Sequence, residues 1–342
     1  MMYRREPLAT TAMKNCVLIT PLLALSGCAM FGGLSAEERD AVNGYRDRAG
    51  KYFNARLYER AIDQANSGLQ LDPQNYDLHG RRAWSYLQLS ISTSISSDRD
   101  LLTAESIFSN VIDWRQDDDH DPRTLYGYAI TLHNRARVTE SQAAQLRDQP
   151  SPDSTSSARA EEVTNRSQAY DRQADIYFQK ITDGNTAGMA IKRGAYKYRM
   201  AIHYRQKDLD TAIAFGEKNL EINERETSYF QARYSETPSA EYEKVFRQDL
   251  EALRTDEMKI RSRLAMYHQE KEEFRAAIVH LDAILEDHPS RVEDYYLRGN
   301  CHRALKQHAE TRADFRKFLQ LGNKLPQTHP SVRDAREYLY GG

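Results

Sequence analysis

Apolar residues recur three and four positions apart along most of the chain after residue 34, which is the spacing of amphipathic helices. Alternating β-branched runs bounded by turns, the pattern of strands, do not occur after the N-terminal segment. The stretch from Ser35 to Glu38 has the sequence of a capping box, in which the serine side chain accepts from a free backbone N–H and the glutamate reaches back. The pattern predicts an all-α fold whose first helix begins near residue 36.

Similar helical segments return at a spacing of about 34 residues. The clearest unit covers residues 42–75 and places one aromatic–small–aromatic face on its first helix. Small residues on its second helix let two antiparallel helices approach closely, and they are Ala61, Ala65 and Gly68. Pro73 follows and cannot continue a helix. The unit therefore predicts a hairpin of two packed helices.

This pattern resembles the tetratricopeptide repeat (TPR), and two later units over residues 264–289 and 295–318 resemble it as well. The resemblance implies a TPR-like α-solenoid of about six helix pairs over residues 35–342. Residues 331–340 are expected to form a C-terminal capping helix that covers the last apolar face. A mobile insertion is expected over about 140–168, because residues 149–157 are rich in proline and serine.

The N-terminal segment has a lysine at Lys14, an apolar run over residues 16–25 and then Leu-Ser-Gly-Cys ending at Cys28. The run is too short to span a bilayer, which takes roughly 20 residues. The order resembles a bacterial lipoprotein signal, which implies a signal peptide over 1–27, palmitate-type lipidation at Cys28 and a lipidated linker over 28–34. Ala29 implies the outer membrane, by the same resemblance. An ordinary cleaved signal with an incidental cysteine is the alternative.

Composition and motifs indicate a binding protein without catalysis. The 48 Lys and Arg nearly balance the 50 Asp and Glu, so charge gives no reason to expect nucleic acid as a partner. No catalytic, phosphate-binding or metal-binding motif occurs, so we expect no cofactor, no metal and no small-molecule substrate. The ten histidines are scattered and are expected to be core or surface residues. The acidic run Asp117–Asp121 fits either a cation site or a solvated turn.

The first helix of each TPR hairpin lines the concave side of the solenoid. Mapping the chain onto that pattern predicts a partner-binding groove lined by Arg46, Phe53, Trp84, Leu87, Tyr128, Lys197, Tyr204, Tyr296 and Arg303. Aromatics with interspersed arginines are typical of protein-binding hot spots. The expected function is an outer-membrane-anchored scaffold that binds other envelope proteins or peptides and faces the periplasm. The alternative is a structural subunit of a stable envelope assembly or export machine, such as those for pili, outer-membrane proteins or polysaccharide.

Overall fold

The computed structural model describes residues 33–92, 98–114, 121–148, 154–236 and 240–341, and within them it contains thirteen α-helices and no strand. The expected all-α fold is confirmed. The helices are α1 (Ala36–Asn54), α2 (Tyr58–Leu71), α3 (Tyr76–Ser92), α4 (Asp98–Trp114), α5 (Pro122–Arg147), α6 (Ser154–Asp183), α7 (Met189–Arg205), α8 (Leu209–Glu236), α9 (Ala240–Glu270), α10 (Phe274–Asp287), α11 (Val292–Ala304), α12 (His308–Leu321) and α13 (Pro330–Tyr340).

Successive helices form six pairs, from α1/α2 to α11/α12, and each pair packs on the next. Helix α13 closes the stack, because its Val332 and Ala335 are buried in one cluster with Phe315 and Phe318 of α12. The prediction of a TPR-like solenoid of six helix pairs with a C-terminal capping helix is confirmed. Each pair contacts mainly its neighbours in sequence, as expected of a repeat fold.

Four of the pairs are closed by the same turn. In each, one residue after the first helix takes the left-handed conformation that favours glycine, yet none of the four is a glycine. In the first turn the N–H of Leu57 donates to the carbonyl of Tyr52 at 2.9 Å, which is the long bond of a Schellman motif. The four residues are Arg56 (φ 59°), Lys207 (φ 64°), Glu272 (φ 59°) and Lys306 (φ 59°).

Two hairpins are much longer than a repeat requires. Helices α5 and α6 contain 26 and 30 residues, and α8 and α9 contain 28 and 31. The insertion expected over about 140–168 is therefore mostly helix, since residues 140–147 extend α5 and residues 154–168 belong to α6. Its seryl and alanyl segment forms helix because Ala160 and Val163 gain a buried face there. Residues 149–153, the centre of the expected loop, lie outside the described residues.

The largest core cluster lies in the middle of the chain and joins α3 to α7. Phe108 and Phe178 are fully buried in it. Gly127 is required at this point, because a Cβ there would lie 2.4 Å from Cζ of Phe108. This close approach lets α5 pack directly on α4. It also brings α5 beside Trp84 of α3, so that side chains of α3 and α5 line the same cavity.

The N-terminal capping box is confirmed. The Ser35 hydroxyl accepts from the N–H of Glu38 at 3.2 Å, and the Glu38 carboxylate accepts from the N–H of Ser35 at 2.9 Å. Cys28 and the rest of the predicted signal lie outside the described residues, as do residues 117–120 of the acidic run. A search of the described helices finds none with the length and apolar character needed to cross a bilayer.

Candidate functional site

An open cavity of about 560 Å³ lies on the side of the solenoid formed by α1, α3 and α5. These are the first helices of the first three pairs, so the cavity occupies the N-terminal end of the predicted groove. Its lining residues are Phe53, Asn54, Tyr76, Asp77, Gly80, Arg81, Trp84, Gln88, Val111, Ile112, Asp121, Arg123 and Thr124. The mixture of aromatic, cationic and amide side chains is that of a polypeptide-binding surface.

Helix α3 contributes most of the wall. Asp77, Arg81, Trp84 and Gln88 are spaced three or four residues apart, which places them on one face of the helix. Trp84 is half-buried and packs edge-on against Phe108, with ring centroids 5.8 Å apart. The indole is thus held by the core on one side while the other side borders the cavity.

The cavity is lined by two arginines and two aspartates, and its arginines form no ion pair with either acid. Neither the Arg81 nor the Arg123 guanidinium forms an ion pair with a carboxylate of the described residues. The carboxylate of Asp77 lies 4.0 Å from Arg46, and Asp121 accepts from the backbone N–H of Arg123 at the start of α5. Two guanidinium groups therefore remain for a bound carboxylate, to which an arginine can donate two parallel bonds.

Gly50 makes room for one of these arginines. A Cβ at this position would lie 2.7 Å from Nη1 of Arg81, so a larger residue on α1 would displace the guanidinium. The absence of a side chain at Gly50 is consequently part of the site's geometry.

Two predicted groove residues, Phe53 and Trp84, line this cavity. Two others are buried and offer no surface to a partner: Leu87 is 0% exposed and Tyr128 is 5% exposed. Both lie in the core cluster of α3–α7. Tyr128 packs edge-on against Tyr177 with ring centroids 4.9 Å apart, because it lies on the face of α5 that α6 covers.

The remaining predicted residues are dispersed along the solenoid. Arg46 lies beside the first cavity, 4.0 Å from Asp77. Lys197 borders a separate cavity of about 200 Å³, where burial lowers the pKa of its ammonium and Asp256 lies 3.8 Å away. Tyr204 stacks on Tyr267 with centroids 4.4 Å apart and donates from its hydroxyl to Glu270.

At the C-terminal end, Tyr296 and Arg303 share one acceptor. The Tyr296 hydroxyl donates to Asp334 at 2.9 Å, and Arg303 Nη1 donates to the same carboxylate at 2.9 and 3.2 Å. Asp334 belongs to α13. This end of the groove is therefore bonded to the capping helix.

Sequence reasoning did not identify Arg123 or Tyr76 as groove residues. A usable signal exists for Tyr76, since it lies on the same helical face as Gly80 and Trp84. Arg123 follows Pro122 in the first turn of α5, and its placement beside α3 depends on the packing of Gly127 against α4. The spacing of residues within α5 gives no indication of how Gly127 packs against α4.

No family model matches the chain, and no curated protein matches its sequence. The C-terminal part of a TPR repeat-containing protein from Cytophaga hutchinsonii is similar in structure, with a TM-score of 0.51 at 13% identity over 86% of this chain and 88% of that one. PilW, described as a widely conserved type IV pilus biogenesis factor, gives 0.48 at 13% identity over 86% and 97%. Identities this low show the fold alone. The chain has the α-solenoid fold of tetratricopeptide-repeat proteins.

Proposed function

We propose that the chain is a protein-binding scaffold and that its groove holds a polypeptide segment bearing apolar and acidic side chains. The observation that carries this proposal is the cavity at α1, α3 and α5, where Phe53 and Trp84 lie beside Arg81 and Arg123. Its volume of about 560 Å³ is within the range of ligand pockets, roughly 300–1,000 Å³. Tryptophan, tyrosine and arginine are the residues that most often dominate binding energy at protein interfaces.

The two unpaired guanidinium groups favour an acidic segment, and the carboxylates of Asp77 and Asp121 line the same cavity beside them. A carboxylate of the ligand would pair with the Arg81 or Arg123 guanidinium, while its apolar side chains would cover Trp84. A basic segment would place like charges beside Arg81 and Arg123, which costs free energy in a partly desolvated site. The absence of a catalytic constellation in the sequence agrees with a binding role.

We also propose that the scaffold is anchored through a lipid at Cys28 to the outer membrane and faces the periplasm. The support is the signal-like sequence that ends at Cys28. The first helix begins at Ala36, and the roughly seven residues of linker span at most about 25 Å when extended. The first helix pair, which contributes to the cavity, would therefore remain close to the lipid surface.

Site-specific crosslinking tests the groove. A photoreactive amino acid at Phe53 should capture a polypeptide in cells, and the yield should fall at least fivefold when Arg81→Ala and Arg123→Ala are added. The matched control is Val279 on the second helix of the fifth pair, which is 63% exposed and borders no groove residue of the first three pairs. Capture from Val279 but not from Phe53 would contradict the groove proposal and favour a structural subunit bound through the opposite face.

Peptide binding tests the chemistry of the ligand. Of the two tryptophans, Trp84 lines the cavity and Trp114 lies at the end of α4, so Trp114→Phe leaves one reporter inside the site. Peptides with Glu and Leu side chains should change Trp84 fluorescence, and charge-reversed Lys and Leu peptides should bind at least tenfold more weakly. Equal affinity for both sets would contradict the role given to the arginines.

Radiolabelled palmitate tests the anchor. The wild-type chain should incorporate label and sediment with outer membrane, whereas Cys28→Ala should do neither. Equal labelling of the two would remove the lipid anchor while leaving the groove proposal intact.

A further inference from the structure

Three potential metal ligands from three different helices meet where the fourth helix pair packs on the fifth. They are Glu217 of α8, His268 of α9 and His280 of α10, and each offers one ligand atom within 4.8 Å of the other two. The two histidines are buried, at 9% and 6% exposure. Glu217 lies at the solvent side, with its side chain 51% exposed. The cluster thus has a buried nitrogen side and an accessible oxygen side.

The distances within the cluster fit a coordinated ion. His280 Nε2 lies 3.3 Å from Glu217 Oε1. Two ligand atoms that are each about 2.0–2.1 Å from a tetrahedral zinc ion are about 3.4 Å apart, so this pair already has the required separation. The rings of His268 and His280 lie nearly parallel, with centroids 5.4 Å apart and an angle of 17° between them. All three ligand atoms lie within 4.8 Å of one another, so small side-chain rotations would bring them to the separations that one ion requires.

A fourth residue orients one of the ligands. His268 Nδ1 and Glu273 Oε2 are 2.7 Å apart, which leaves Nε2 as the nitrogen available to a metal. Glu273 is itself held by Lys271, whose Nζ lies 2.7 Å from Oε1. A carboxylate bonded to the second nitrogen of a metal-binding histidine is the usual outer-shell partner in such sites.

The His280 ring faces Glu217 through Nε2, which is the nitrogen that would bind an ion. His280 Nδ1 is buried and has no hydrogen-bond partner among the described residues. The next pair provides a contrast: His302 occupies the same position as His268 and its Nδ1 contacts Gln307 Oε1 at 2.7 Å, but no second histidine stacks on it in the described structure. The second histidine is the feature that sets this junction apart.

We propose that Glu217, His268 and His280 bind one divalent transition-metal ion of the zinc class, with Glu273 positioning His268. Two imidazoles and one carboxylate are a zinc donor set, whereas Ca²⁺ and Mg²⁺ take oxygen ligands. Three protein ligands leave a fourth position for water on the exposed side. Arg261, the cation that also acts on Glu217, is bonded to Glu257 at 2.8 Å. The ion would tie α8 to α9 and α10, and so fix the angle between the fourth and fifth pairs.

Metal titration of the whole chain tests the site. The protein is purified without a polyhistidine tag, treated with a chelator and titrated with Zn²⁺ by calorimetry and with Co²⁺ by visible absorption. One equivalent of Zn²⁺ is expected, with a tetrahedral Co²⁺ spectrum and a higher unfolding temperature. His280→Gln should abolish this binding, and Glu273→Gln should weaken it about 10- to 100-fold, the range for outer-shell partners.

Two variants keep the test decisive. Glu217→Gln changes an exposed side chain of the same shape, so it preserves the fold, and it should weaken Zn²⁺ binding at least tenfold. His302→Gln is the matched control in the next pair and should bind like the wild type. Absence of a stoichiometric site in the wild type, or unchanged affinity in Glu217→Gln and His280→Gln together, would overturn the proposal. These readouts involve no peptide ligand, so their failure leaves the groove untouched.

Discussion

The two ends of the predicted groove both combine an aromatic side chain with an arginine, but in opposite bonding states. At the N-terminal end, Trp84 borders an open cavity and the Arg81 guanidinium pairs with no carboxylate of the described residues. At the C-terminal end, Tyr296 and Arg303 both donate to Asp334 of α13. The first end offers an aromatic and a cation to a partner, whereas the second has already bonded them within the chain.

The difference lies in what covers each end. The capping helix α13 brings its own carboxylate to the last pair, so the aromatic and the arginine there stabilise the stack. At the open end, the aspartates that line the cavity, Asp77 and Asp121, form no ion pair with Arg81, and Gly50 keeps space for its guanidinium. An arginine beside an aromatic therefore indicates a binding site only where the fold supplies no acidic partner for it.

The largest expected effect is at the closed end. Phe315 is fully buried and contacts Tyr296 and Tyr338, so Phe315→Ala should lower the free energy of unfolding by about 3–5 kcal/mol. Exposed Arg316→Ala on the same helix should change it by less than about 0.5 kcal/mol. Denaturant unfolding measures both. Because each pair contacts mainly its neighbours, peptide binding at Trp84 should be unaffected, and a loss of that binding would show that the two ends are coupled.

Removing the acid should make the closed end resemble the open one. Asp334→Ala removes the bonds to Tyr296 and Arg303, which at this exposure should cost about 1–2 kcal/mol of unfolding free energy. It should also create weak affinity for acidic peptides at Arg303, measured by photocrosslinking from Tyr296. Asp334→Asn retains an acceptor for Tyr296 and should give a smaller loss. No new crosslink in Asp334→Ala would mean that the carboxylate is not what closes this end.

Replacing the left-handed residue of the helix–helix turn with glycine should have the same effect on stability at both ends of the solenoid. Arg56 and Lys306 have φ of 59°, where a side chain is strained and glycine is not. Arg56→Gly and Lys306→Gly should each raise the free energy of unfolding by about 0.5–1 kcal/mol, after allowing for glycine's greater freedom in the unfolded chain. Ala55→Gly, at φ −79°, should lower it instead. A lower free energy of unfolding in Arg56→Gly would show that contacts of the Arg56 side chain stabilise the fold by more than the backbone strain destabilises it.

The smallest expected effect is an acid sensitivity of the open end. Burial lowers the pKa of His79 from its usual 6.5, and Nε2 donates to the carbonyl of Pro73 at 2.8 Å while Nδ1 accepts from Arg82 at 3.1 Å. The His79 imidazole therefore binds a second ring proton less readily in the folded chain than in the unfolded chain. Neutral His79 therefore makes its full contribution to the free energy of unfolding above pH 6.5, and this contribution is lost as the pH falls below that value.

Trp114 reports this region, because its ring contacts His79 edge-on at 4.8 Å. In a Trp84→Phe background, unfolding followed by Trp114 fluorescence should become easier as the pH falls below 6.5. His79→Gln should flatten that dependence. If unfolding of His79→Gln depended on pH as steeply as that of the parent chain, the acid sensitivity would belong to another group.

Local signals in the sequence predict the framework well. The capping box at Ser35, the small residues between paired helices and the repeat spacing are each set by contacts within about one repeat, and the structure contains all of them. Burial of Leu87 and Tyr128 was not predictable in this way. Tyr128 is covered by Tyr177 of the 30-residue helix α6, whereas Leu87 is buried in the core cluster where α3 packs on α4 and α5. The bond from Asp334 was missed for the same reason, since it joins groove residues to a helix outside the repeats.

The α8/α9 hairpin has a mechanical consequence. Helices of 28 and 31 residues measure about 42–47 Å, whereas α10 with 14 residues measures about 21 Å. Much of the hairpin therefore has only itself to pack on, and Tyr229 and Val245 stay exposed along it. Because α8 belongs to the fourth pair and α9 to the fifth, a small rotation between these pairs would shift the two helices against each other, and the shift would grow with distance from the stack.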